Sequence, residues 1–428
     1  MSNNTVLVVG GGIAGIQASL DLANRGVKVY LVEKSPSIGG RMASLDKTFP
    51  TMDCSACILT PKMVDASKHS KIHLLTYSEV KKIDGRPGAF KVSVTRKPRY
   101  VDEVTCTGCG LCALRCPVEA PNEFDEGLGV RKAIYVPFPQ AVPLVYTIDM
   151  DNCILCSVCE RVCAAQAIKF DQKPEQLEIE VGAIILATGY KVFSTDKKPE
   201  YGHGKYDNVV TGLTLERLLS ASGPTGGHIV RPSDGKIPRK IGIVQCVGSR
   251  DQSIGNAYCS RVCCMYALKQ ARLLKEHVPE GDITIFYMDI RAFGKGYEEF
   301  YRRACDELKL KLVRGRVAKV DEDPNTHDLV IKVEDTERGK VRTENFQLLV
   351  LSVGLEATAN EITPLMPVAV GEDRFFQAVD PKIDPVLTSV EGVFVAGVAE
   401  GPKDIPDSVA QASAAAMKAS IILAKVGK

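Results

Sequence analysis

The stretch Thr5-Val-Leu-Val-Val-Gly-Gly-Gly-Ile-Ala-Gly15 joins an uninterrupted apolar run to a glycine-rich turn. Such a run is typical of a parallel strand that is buried on both faces. The turn leads into a predicted helix at Ile16–Asn24 and a second predicted strand at Val27–Val32, which is followed by Glu33. Because strand, tight turn, helix and strand form a βαβ unit, we predict an α/β protein.

The glycines of this turn have the spacing of a dinucleotide-binding fingerprint, Gly10-x-Gly12-x-x-Gly15. The first permits the tight turn, the second lets the main chain approach a pyrophosphate, and the third allows close packing of helix and strand. The phosphate would lie on N–H groups at the helix N-terminus, while a carboxylate after the second strand can accept hydrogen bonds from a ribose. A plain glycine-rich turn is the alternative. The residues predicted to bind the dinucleotide are Gly10, Gly12, Ala14, Gly15, Glu33 and Lys34.

Three later segments favour FAD as this dinucleotide. Ser37-Ile-Gly-Gly40-Arg41 resembles the loop after the second strand in flavoproteins with two dinucleotide-binding domains, and two later segments resemble their FAD-contacting strand ends. Val398 stands where the last of these motifs usually has an acidic residue, so N–H groups of the helix near Ser408 are expected to hold the flavin's ribityl chain. The residues expected to contact FAD are Gly40, Arg41, Ala187, Thr188, Gly189, Gly397 and Ser408.

Cysteine is the residue type whose use is unusual, with 15 among 428 residues. A chain of this length can bury its own core, so metal binding or redox chemistry explains the cysteines better than a disulfide framework. The net charge of +2 indicates neither nucleic acid nor an anionic membrane surface as a partner. The apolar runs are too short to cross a bilayer, and residues 1–30 lack the pattern of a secretory leader. We expect a cytoplasmic protein without direct membrane insertion.

Two cysteine runs match the bacterial ferredoxin pattern C-x-x-C-x-x-C-x-x-x-C. In that pattern three thiolates hold one [4Fe–4S] cluster, and the remote fourth cysteine binds the other cluster. The ligands predicted for the first cluster are Cys106, Cys109, Cys112 and Cys163, and those for the second are Cys153, Cys156, Cys159 and Cys116. Structural zinc is the alternative, but zinc prefers paired C-x-x-C knuckles.

A third group, Cys246, Cys259, Cys263 and Cys264, does not follow the ferredoxin pattern. Buried inert thiols are the alternative to a metal site here. The adjacent pair Cys263 and Cys264 stands at the start of a predicted helix, whose positive end favours thiolates. We therefore predict a third cluster.

Several long segments closely resemble the A-type subunits of heterodisulfide reductases, and the resemblance covers nearly the whole chain. These segments are Met52–Met63, Leu74–Val80, Cys246–Asp251, Tyr258–Ala267 and Gly401–Val409. In that family the third cysteine group holds an unusual [4Fe–4S] cluster near the flavin, and the lysine that matches Lys269 lies close to the isoalloxazine. The resemblance thus implies that Lys269 stabilises reduced flavin, with a solvated helix lysine as the alternative. Longer archaeal members carry an extra N-terminal region and a C-terminal ferredoxin module, which these 428 residues do not show.

Three cysteines stand outside the predicted clusters. Cys54 and Cys57 follow the first FAD-binding unit where disulfide reductases carry their flavin-facing pair, so a catalytic dithiol is one hypothesis. Packed thiols, or ligands donated at a subunit contact, are the others. Cys305 stands alone in a predicted helix and is expected to pack. After the strand at Lys240–Gln245 the chain lacks the second glycine fingerprint that would bind NADPH, which argues against direct reduction by a nicotinamide.

The predicted fold is a thioredoxin-reductase-like, two-dinucleotide-binding α/β flavoprotein with an inserted two-cluster ferredoxin domain. The FAD-binding domain is predicted to comprise residues 1–97, 173–200 and 356–428. The inserted domain is predicted at 98–172, and a degenerate nicotinamide-type domain with the third cluster at 201–355.

The resemblance implies an electron-transfer oxidoreductase with FAD and three [4Fe–4S] clusters. Because flavin exchanges one or two electrons, it can split electron pairs between a disulfide-reducing branch and ferredoxin. The expected partners are heterodisulfide reductase B- and C-type subunits, ferredoxin, and a donor module linked to hydrogenase, formate or NADH. One alternative is a quinone-linked component that conducts electrons without splitting them, and another is a stand-alone NADPH disulfide oxidoreductase, which the missing fingerprint disfavours.

Overall fold

The computed structural model describes residues 4–426. The chain divides into two compact units, the first comprising Met1–Ala43, Ala56–Tyr190 and Ala357–Lys428, and the second comprising Ser44–Ser55 and Lys191–Glu356. The second unit thus takes in Ser44–Ser55, which the predicted boundaries give to the FAD-binding domain. None of the helices among residues 4–426 combines the length and apolar character needed to cross a membrane.

The helices and strands are numbered in chain order. The helices are α1 (Ile13–Asn24), α2 (Ser55–Lys68), α3 (Leu111–Arg115), α4 (Val158–Val162), α5 (Gly212–Leu219), α6 (Cys263–His277), α7 (Tyr297–Leu308) and α8 (Ile405–Val426). The strands up to the second unit are β1 (Thr5–Val9), β2 (Lys28–Val32), β3 (Ile72–Leu75), β4 (Ser78–Arg86), β5 (Ala89–Arg96), β6 (Glu119–Pro121), β7 (Val130–Lys132), β8 (Ile134–Tyr135), β9 (Thr147–Ile148), β10 (Glu175–Val181), β11 (Ala183–Leu186) and β12 (Tyr190–Val192). The later strands are β13 (Val209–Thr211), β14 (Lys240–Val247), β15 (Asp282–Tyr287), β16 (Lys311–Arg314), β17 (Val317–Glu322), β18 (Leu329–Asp335), β19 (Lys340–Phe346), β20 (Leu348–Val353), β21 (Leu355–Ala357) and β22 (Val393–Val395).

A five-stranded parallel sheet, in the order β22-β11-β1-β2-β3, forms the centre of the first unit. Every residue of β1 is buried, as its apolar sequence predicts. Because β1 lies between β11 and β2, the turn that follows it lies at a switch point of the sheet, where α/β proteins bind ligands. The glycine-rich turn is therefore in the position that a dinucleotide site requires.

Two helices, α1 and α8, cover one face of this sheet. Ala412, Ala415 and Ala416 of α8 are buried, and their small side chains let this helix approach α1 closely. The Ser413 hydroxyl donates a hydrogen bond to the Asp21 carboxylate of α1 at 2.6 Å. On the other face lies the antiparallel sheet β10-β5-β4, which shares a core with β1 and β11.

The cysteine-rich segment folds as a small part of the first unit, with α3, α4 and short strands around its own core. It is fastened to the loop after β2. The buried Arg99 guanidinium donates to the Pro36 carbonyl at 2.7 Å and to the Thr76 hydroxyl at 2.6 Å. The Val142 N–H donates to the Ser37 hydroxyl at 2.8 Å. The proline-rich stretch between the two cysteine runs is thus a packed connection.

The second unit has a parallel sheet in the order β13-β20-β14-β15-β16 and an antiparallel sheet β17-β18-β19. Strand β14 is buried from Ile241 to Val247. Its pairing with β20 shifts register between Val244 and Val247, which is a β-bulge beside Cys246. Helix α6 begins at Cys263, as the sequence predicts.

Candidate cofactor and metal sites

The glycine turn after β1 has the shape of a phosphate cradle. Gly10 has φ +108°, and a Cβ there would lie 2.2 Å from the Ala187 carbonyl oxygen. A Cβ on Gly15 would lie 1.8 Å from the Gly10 carbonyl oxygen, so neither position admits a side chain. Gly12, the N-cap of α1, is different, because its nearest contact would be Gly40 Cα at 3.9 Å. The turn is therefore closed where strand and helix pack and open where a pyrophosphate would approach.

Glu33 is fixed against this turn. Its side chain is buried, and its two carboxylate oxygens accept hydrogen bonds from the Gly11 N–H at 2.7 Å and the Ser35 N–H at 2.8 Å. Each oxygen can accept a further bond, as ribose hydroxyls require. The neighbouring Lys34 ammonium is largely exposed and pairs with Glu361 at 3.2 Å.

The loop after β2 closes on the turn from the other side. The Gly39 N–H donates to the Gly11 carbonyl at 2.8 Å, and a Cβ on Gly40 would lie 2.8 Å from Gly12 Cα. Arg41 is half exposed and faces Glu126 at 3.6 Å. The predicted loop and the predicted turn are therefore one site.

The two later segments also reach this site. The Ala187 N–H donates to the Val9 carbonyl at the end of β1. A Cβ on Gly397 would lie 2.8 Å from that of Ala14 and within 4 Å of the Ser408 side chain. The structure thus brings the start of α1 and the region before α8 together.

Thr188 and Gly189 lie after β11. The Thr188 hydroxyl is 2.9 Å from that of Thr358, which also donates to the Gly189 carbonyl at 3.2 Å. Gly189 has φ +69° with open space around its Cβ position. These two residues border the site without closing it.

Lys403 is a neighbour of this site that the sequence analysis missed. Its ammonium is buried and donates to the Gly397 and Gly401 carbonyls at 2.8 and 3.0 Å, while it pairs with Glu400 at 2.7 Å. The cation therefore braces the turn that contains Val398. The signal in the sequence was the Gly401-Pro-Lys-Asp404 segment, which gave no reason to distinguish this lysine from a surface one.

The predicted ligands of the second cluster surround one cavity. Its lining includes Cys116 from the first run, together with Cys153, Cys156 and Cys159 from the second. Apolar residues such as Ile134, Ile148 and Phe170 complete the wall. Burial raises the pKa of the Cys159 thiol to about 11, and the nearby Cys153, Cys116 and Cys156 add to the shift. The crossed pairing of one remote cysteine with the other run's triplet thus has a geometric basis in the structure.

The first triplet is arranged in the same way. Burial raises the pKa of the Cys112 thiol to about 12, and Cys106 and Cys109 lie close enough to contribute. Cys163 packs in the same small core and accepts the Ala167 N–H at 3.3 Å. The structure therefore gathers the triplet directly and leaves Cys163 in its vicinity.

The backbone of the two triplets repeats. Gly108 and Gly110 have φ values of +69° and +83°, and the equivalent Leu155 and Ser157 have +54° and +56°. Each triplet then enters a five-residue helix, α3 or α4. A non-glycine residue adopts this left-handed conformation at a cost, so its repetition in the second run indicates a required loop shape.

Across residues 4–426, no three His, Cys, Asp or Glu side chains converge closely enough for a single metal ion. The four cysteines around the cavity are spread about a volume instead. A [4Fe–4S] cluster uses its four thiolates on four different irons. The donor set therefore fits a cluster.

The third cysteine group converges at the bulge of β14. The Cys263 thiol donates to Cys246 and Cys264, so the thiolate form is favoured on these two, and the pKa of Cys264 falls to about 7. The Cys264 sulfur also lies 3.7 Å from the Asp289 carbonyl. Three thiols in mutual contact are not isolated packing residues.

Cys259 lies on the loop that leads into α6. Its sulfur accepts the Arg261 N–H at 3.3 Å. The Arg250 guanidinium is close to both Cys246 and Cys259, and it pairs with Asp289 at 2.6 Å. The fourth predicted ligand thus shares a cationic neighbour with the first. All four carry soft sulfur donors, which fit an iron–sulfur cluster.

Lys269 lies on the buried face of α6. Its ammonium pairs with Glu216 at 2.6 Å and donates to the Lys47 carbonyl at 2.9 Å. The Gln270 amide donates to the same Glu216 carboxylate at 2.7 Å, and the Asp46 N–H donates to its other oxygen at 3.1 Å. The alternative of a solvated helix lysine is wrong. Sequence analysis missed Glu216, because an acidic residue in the amphipathic α5 resembles a surface residue.

The remaining cysteines differ in state. Cys54 and Cys57 are both disulfide-bonded, whereas the thirteen cysteines from Cys106 to Cys305 are free. Cys305 is half-buried and interacts with the Tyr301 hydroxyl. The hypothesis of two packed thiols at Cys54 and Cys57 is therefore wrong for the oxidised chain.

Two family profiles match parts of the chain. Residues 5–54 match the family described as FAD dependent oxidoreductase, and residues 105–168 match the 4Fe-4S dicluster domain. FAD and [4Fe–4S] clusters as cofactors, and the oxidoreductase class, are thereby confirmed. The third cluster stays a prediction.

Curated relatives match over nearly the full chain, and all three described here are A-type subunits. The chain is 56% identical over 425 residues to the iron-sulfur protein of this type from the CoB–CoM heterodisulfide reductase of Methanocaldococcus jannaschii, covering 99% of this chain and 65% of that protein. It is 57% identical over 421 residues to that of the H2/formate:CoB-CoM heterodisulfide,ferredoxin reductase of Methanococcus maripaludis, covering 98% and 64%. With that of the ferredoxin/F420H2-dependent CoB-CoM heterodisulfide reductase of Methanosarcina acetivorans, identity is 48% over 425 residues, covering 99% and 53%. The chain spans less than two thirds of the length of each.

Solved structures with the same fold include two thioredoxin reductases. That of Lactococcus lactis has a TM-score of 0.56 at 15% identity, covering 98% of this chain and 99% of its own. That of T. acidophilum has a TM-score of 0.54 at 13% identity, covering 97% of both. At these identities the likeness concerns the fold alone, and it confirms the predicted thioredoxin-reductase-like architecture.

Proposed function

This chain is a homologue of the A-type subunits of heterodisulfide reductases, and on that premise we propose that it transfers electrons between FAD and three [4Fe–4S] clusters within a larger complex. The observation that carries the proposal is the presence, in one chain, of a dinucleotide cradle and three separate groups of thiols. The matches to an FAD oxidoreductase family and a dicluster family support it. The names of the relatives support the oxidoreductase class.

In the proposed flavin site, each predicted residue has a task. The N–H groups at the start of α1, beside Gly12, hold the pyrophosphate, because the positive end of a helix favours anions. Glu33 orients the ribose, and the Ser37–Arg41 loop excludes water from the phosphate side. Bound there, flavin supplies the ability to exchange electrons singly or in pairs, whereas clusters exchange one at a time.

The cysteines are proposed to hold three clusters. The ligands of the first are Cys106, Cys109, Cys112 and Cys163, those of the second are Cys116, Cys153, Cys156 and Cys159, and those of the third are Cys246, Cys259, Cys263 and Cys264. The cavity around the second set supports its assignment. The contact between Cys246, Cys263 and Cys264 supports the third.

Lys269 and the cysteine pair are the proposed catalytic groups. A buried ammonium held by Glu216 is a fixed positive charge, which can stabilise negative charge on reduced flavin. The bonded pair Cys54 and Cys57 can accept two electrons and two protons as its sulfur–sulfur bond opens to two thiols.

We propose that electron pairs are split at the flavin between a disulfide-reducing branch and ferredoxin. The names of relatives pair CoB-CoM heterodisulfide with ferredoxin, which supports these two acceptors. The partners would be B- and C-type subunits of heterodisulfide reductase, ferredoxin, and a donor module linked to hydrogenase, formate or NADH. A protein with cluster exits and no second nucleotide fingerprint needs such partners for entry and exit of electrons.

The cofactor content of the anaerobically purified chain tests the proposal. We expect one FAD and about twelve irons per chain, since three clusters of this type hold four irons each. Iron and acid-labile sulfide analysis, with flavin absorbance after heat release, measures both. A chain that holds no FAD, or about eight irons when its clusters are fully reconstituted, would contradict the proposal.

A further inference from the structure

Buried polar side chains without partners surround Cys246. Gln245 is 7% exposed, and within residues 4–426 neither its amide nitrogen nor its amide oxygen has a hydrogen-bond partner. The hydroxyls of Ser249 and Ser352 are buried and unpartnered in the same part of the second unit. Buried polar groups are almost always paired, so such a concentration indicates a missing ligand.

The bulge in β14 explains how these groups come together. Val244 pairs with Leu351 and Val247 with Val353, so Gln245 and Cys246 share the single position of Ser352. An extra residue in a strand breaks the alternation of side chains between the two faces. Cys246 also has φ +59°, which bends the chain further. Gln245 and Cys246 are thus released from the rule that neighbours in a strand point apart.

Ser249 returns to the same place through a turn. Its N–H donates to the Cys246 carbonyl at 3.2 Å, which folds the loop back towards the end of β14. The hydroxyl of Ser249 remains unpartnered. The loop therefore carries a second donor close to the proposed third cluster.

We propose that the Gln245 amide and the Ser249 hydroxyl donate hydrogen bonds to sulfur atoms of the third cluster and raise its reduction potential. The inference rests on the proposed function, because it needs a cluster at Cys246, Cys259, Cys263 and Cys264. Donors to the sulfurs stabilise the reduced cluster, which carries one more negative charge, and hydrogen bonding is one of the determinants of cluster potential. Arg250, close to Cys246 and Cys259, acts in the same direction.

The test is the midpoint potential of the third cluster in the Gln245→Met variant of the full, cluster-loaded chain. Methionine has a similar length and offers no donor. The signal of the third cluster is identified as the one that Cys263→Ser removes. In a titration followed by electron paramagnetic resonance, we expect its one-electron reduction to become at least tenfold less favourable, a shift of about 59 mV to more negative potential. The signals of the other two clusters should not move.

Thr284→Val is the matched control. The Thr284 hydroxyl on β15 is also buried and unpartnered, but it pairs in register with Gly242, three residues before Gln245. Its removal should leave all three cluster potentials unchanged. A comparable shift in this variant would show a general effect of buried polarity and would overturn the inference.

Two further results decide the remaining cases. If Gln245→Met loses iron, Gln245→Glu keeps the side-chain volume without the amide donor, and its cluster should also shift to more negative potential. An unchanged potential in a fully loaded variant overturns the inference and leaves the proposed function intact. About eight irons in the reconstituted unmodified chain would contradict the proposed function itself.

Discussion

The Lys269 ammonium lies 2.6 Å from the Glu216 carboxylate, and each side chain is only 2% exposed. The removal of one partner from such a buried pair typically costs about 3–5 kcal/mol of folding free energy, because the other charge is left without compensation. Glu216 is an exception to the worst case, since the Gln270 amide and the Asp46 N–H also donate to it. The carboxylate can therefore remain solvated by protein donors when the lysine is replaced.

Lys269→Met tests the proposed role of this lysine at the flavin. Methionine preserves most of the packing, and Glu216 keeps its other donors, so we expect FAD and iron contents to stay unchanged. Loss of a positive charge should make the flavin harder to reduce, which a spectroelectrochemical titration measures. Lys275→Met, at the other end of α6, is the control, since the Lys275 ammonium contacts only the Pro279 carbonyl among the hydrogen bonds described. A flavin potential that is equal in both variants would exclude the role.

Gly10→Ala should abolish FAD binding. A Cβ at Gly10 would overlap the Ala187 carbonyl oxygen at 2.2 Å, so the turn must move out of the shape that holds the pyrophosphate. Gly26→Ala is matched in backbone conformation, with φ +81°, but has open space around its Cβ position. It should cost about 1–2 kcal/mol of stability and keep its FAD. Flavin retention after gel filtration compares the two, and full retention by Gly10→Ala would be incompatible with the site.

Cys263→Ser should remove about a third of the iron, because one of three clusters loses a ligand. The two ferredoxin-type clusters should keep their spectra, since their ligands belong to the first unit. Cys305→Ser is the control: it alters another free thiol, one that is half-buried and stands outside the three groups. Iron analysis and electron paramagnetic resonance measure the outcome. Equal iron in both variants would remove the basis for a third cluster.

NADPH alone should not bleach the flavin of the isolated chain at a useful rate. The loop after β14 carries Cys246 and a buried cysteine group in place of a second phosphate cradle. Anaerobic stopped-flow mixing with NADPH measures this directly, and dithionite provides the positive control. Rapid, stoichiometric bleaching by NADPH would support a stand-alone disulfide reductase instead.

Much of the fold could be predicted from the sequence where composition and element type agree. The all-apolar Leu348–Val353 and the Lys240–Val247 strand have the predicted bounds, because buried parallel strands need uninterrupted apolar residues. The predicted strand Val181–Leu186 is in fact divided, since Gly182 separates β10 from β11. An apolar run does not reveal where the chain passes from one sheet to the next.

The candidate site could be predicted where spacing alone defines the chemistry. The cysteine runs and the glycine turn are such cases, and the cavity that joins Cys116 to the second run agrees with the crossed assignment. Glu216, Lys403 and Gln245 could not be found in this way. Their importance depends on burial and on partners distant in sequence, and a charged or amide residue in a helix or loop resembles a surface residue until the fold is known.

The central claim is that this chain splits electron pairs at FAD between two branches. The most direct measurement is anaerobic turnover of the complex assembled with the donor module and the B- and C-type subunits, with disulfide consumption and ferredoxin reduction followed together. The account predicts that ferredoxin is reduced in a fixed ratio to the disulfide, and that neither reaction proceeds with the isolated chain. Reduction of the disulfide by the full complex without any reduction of ferredoxin would contradict the claim and identify the chain as a simple electron conduit.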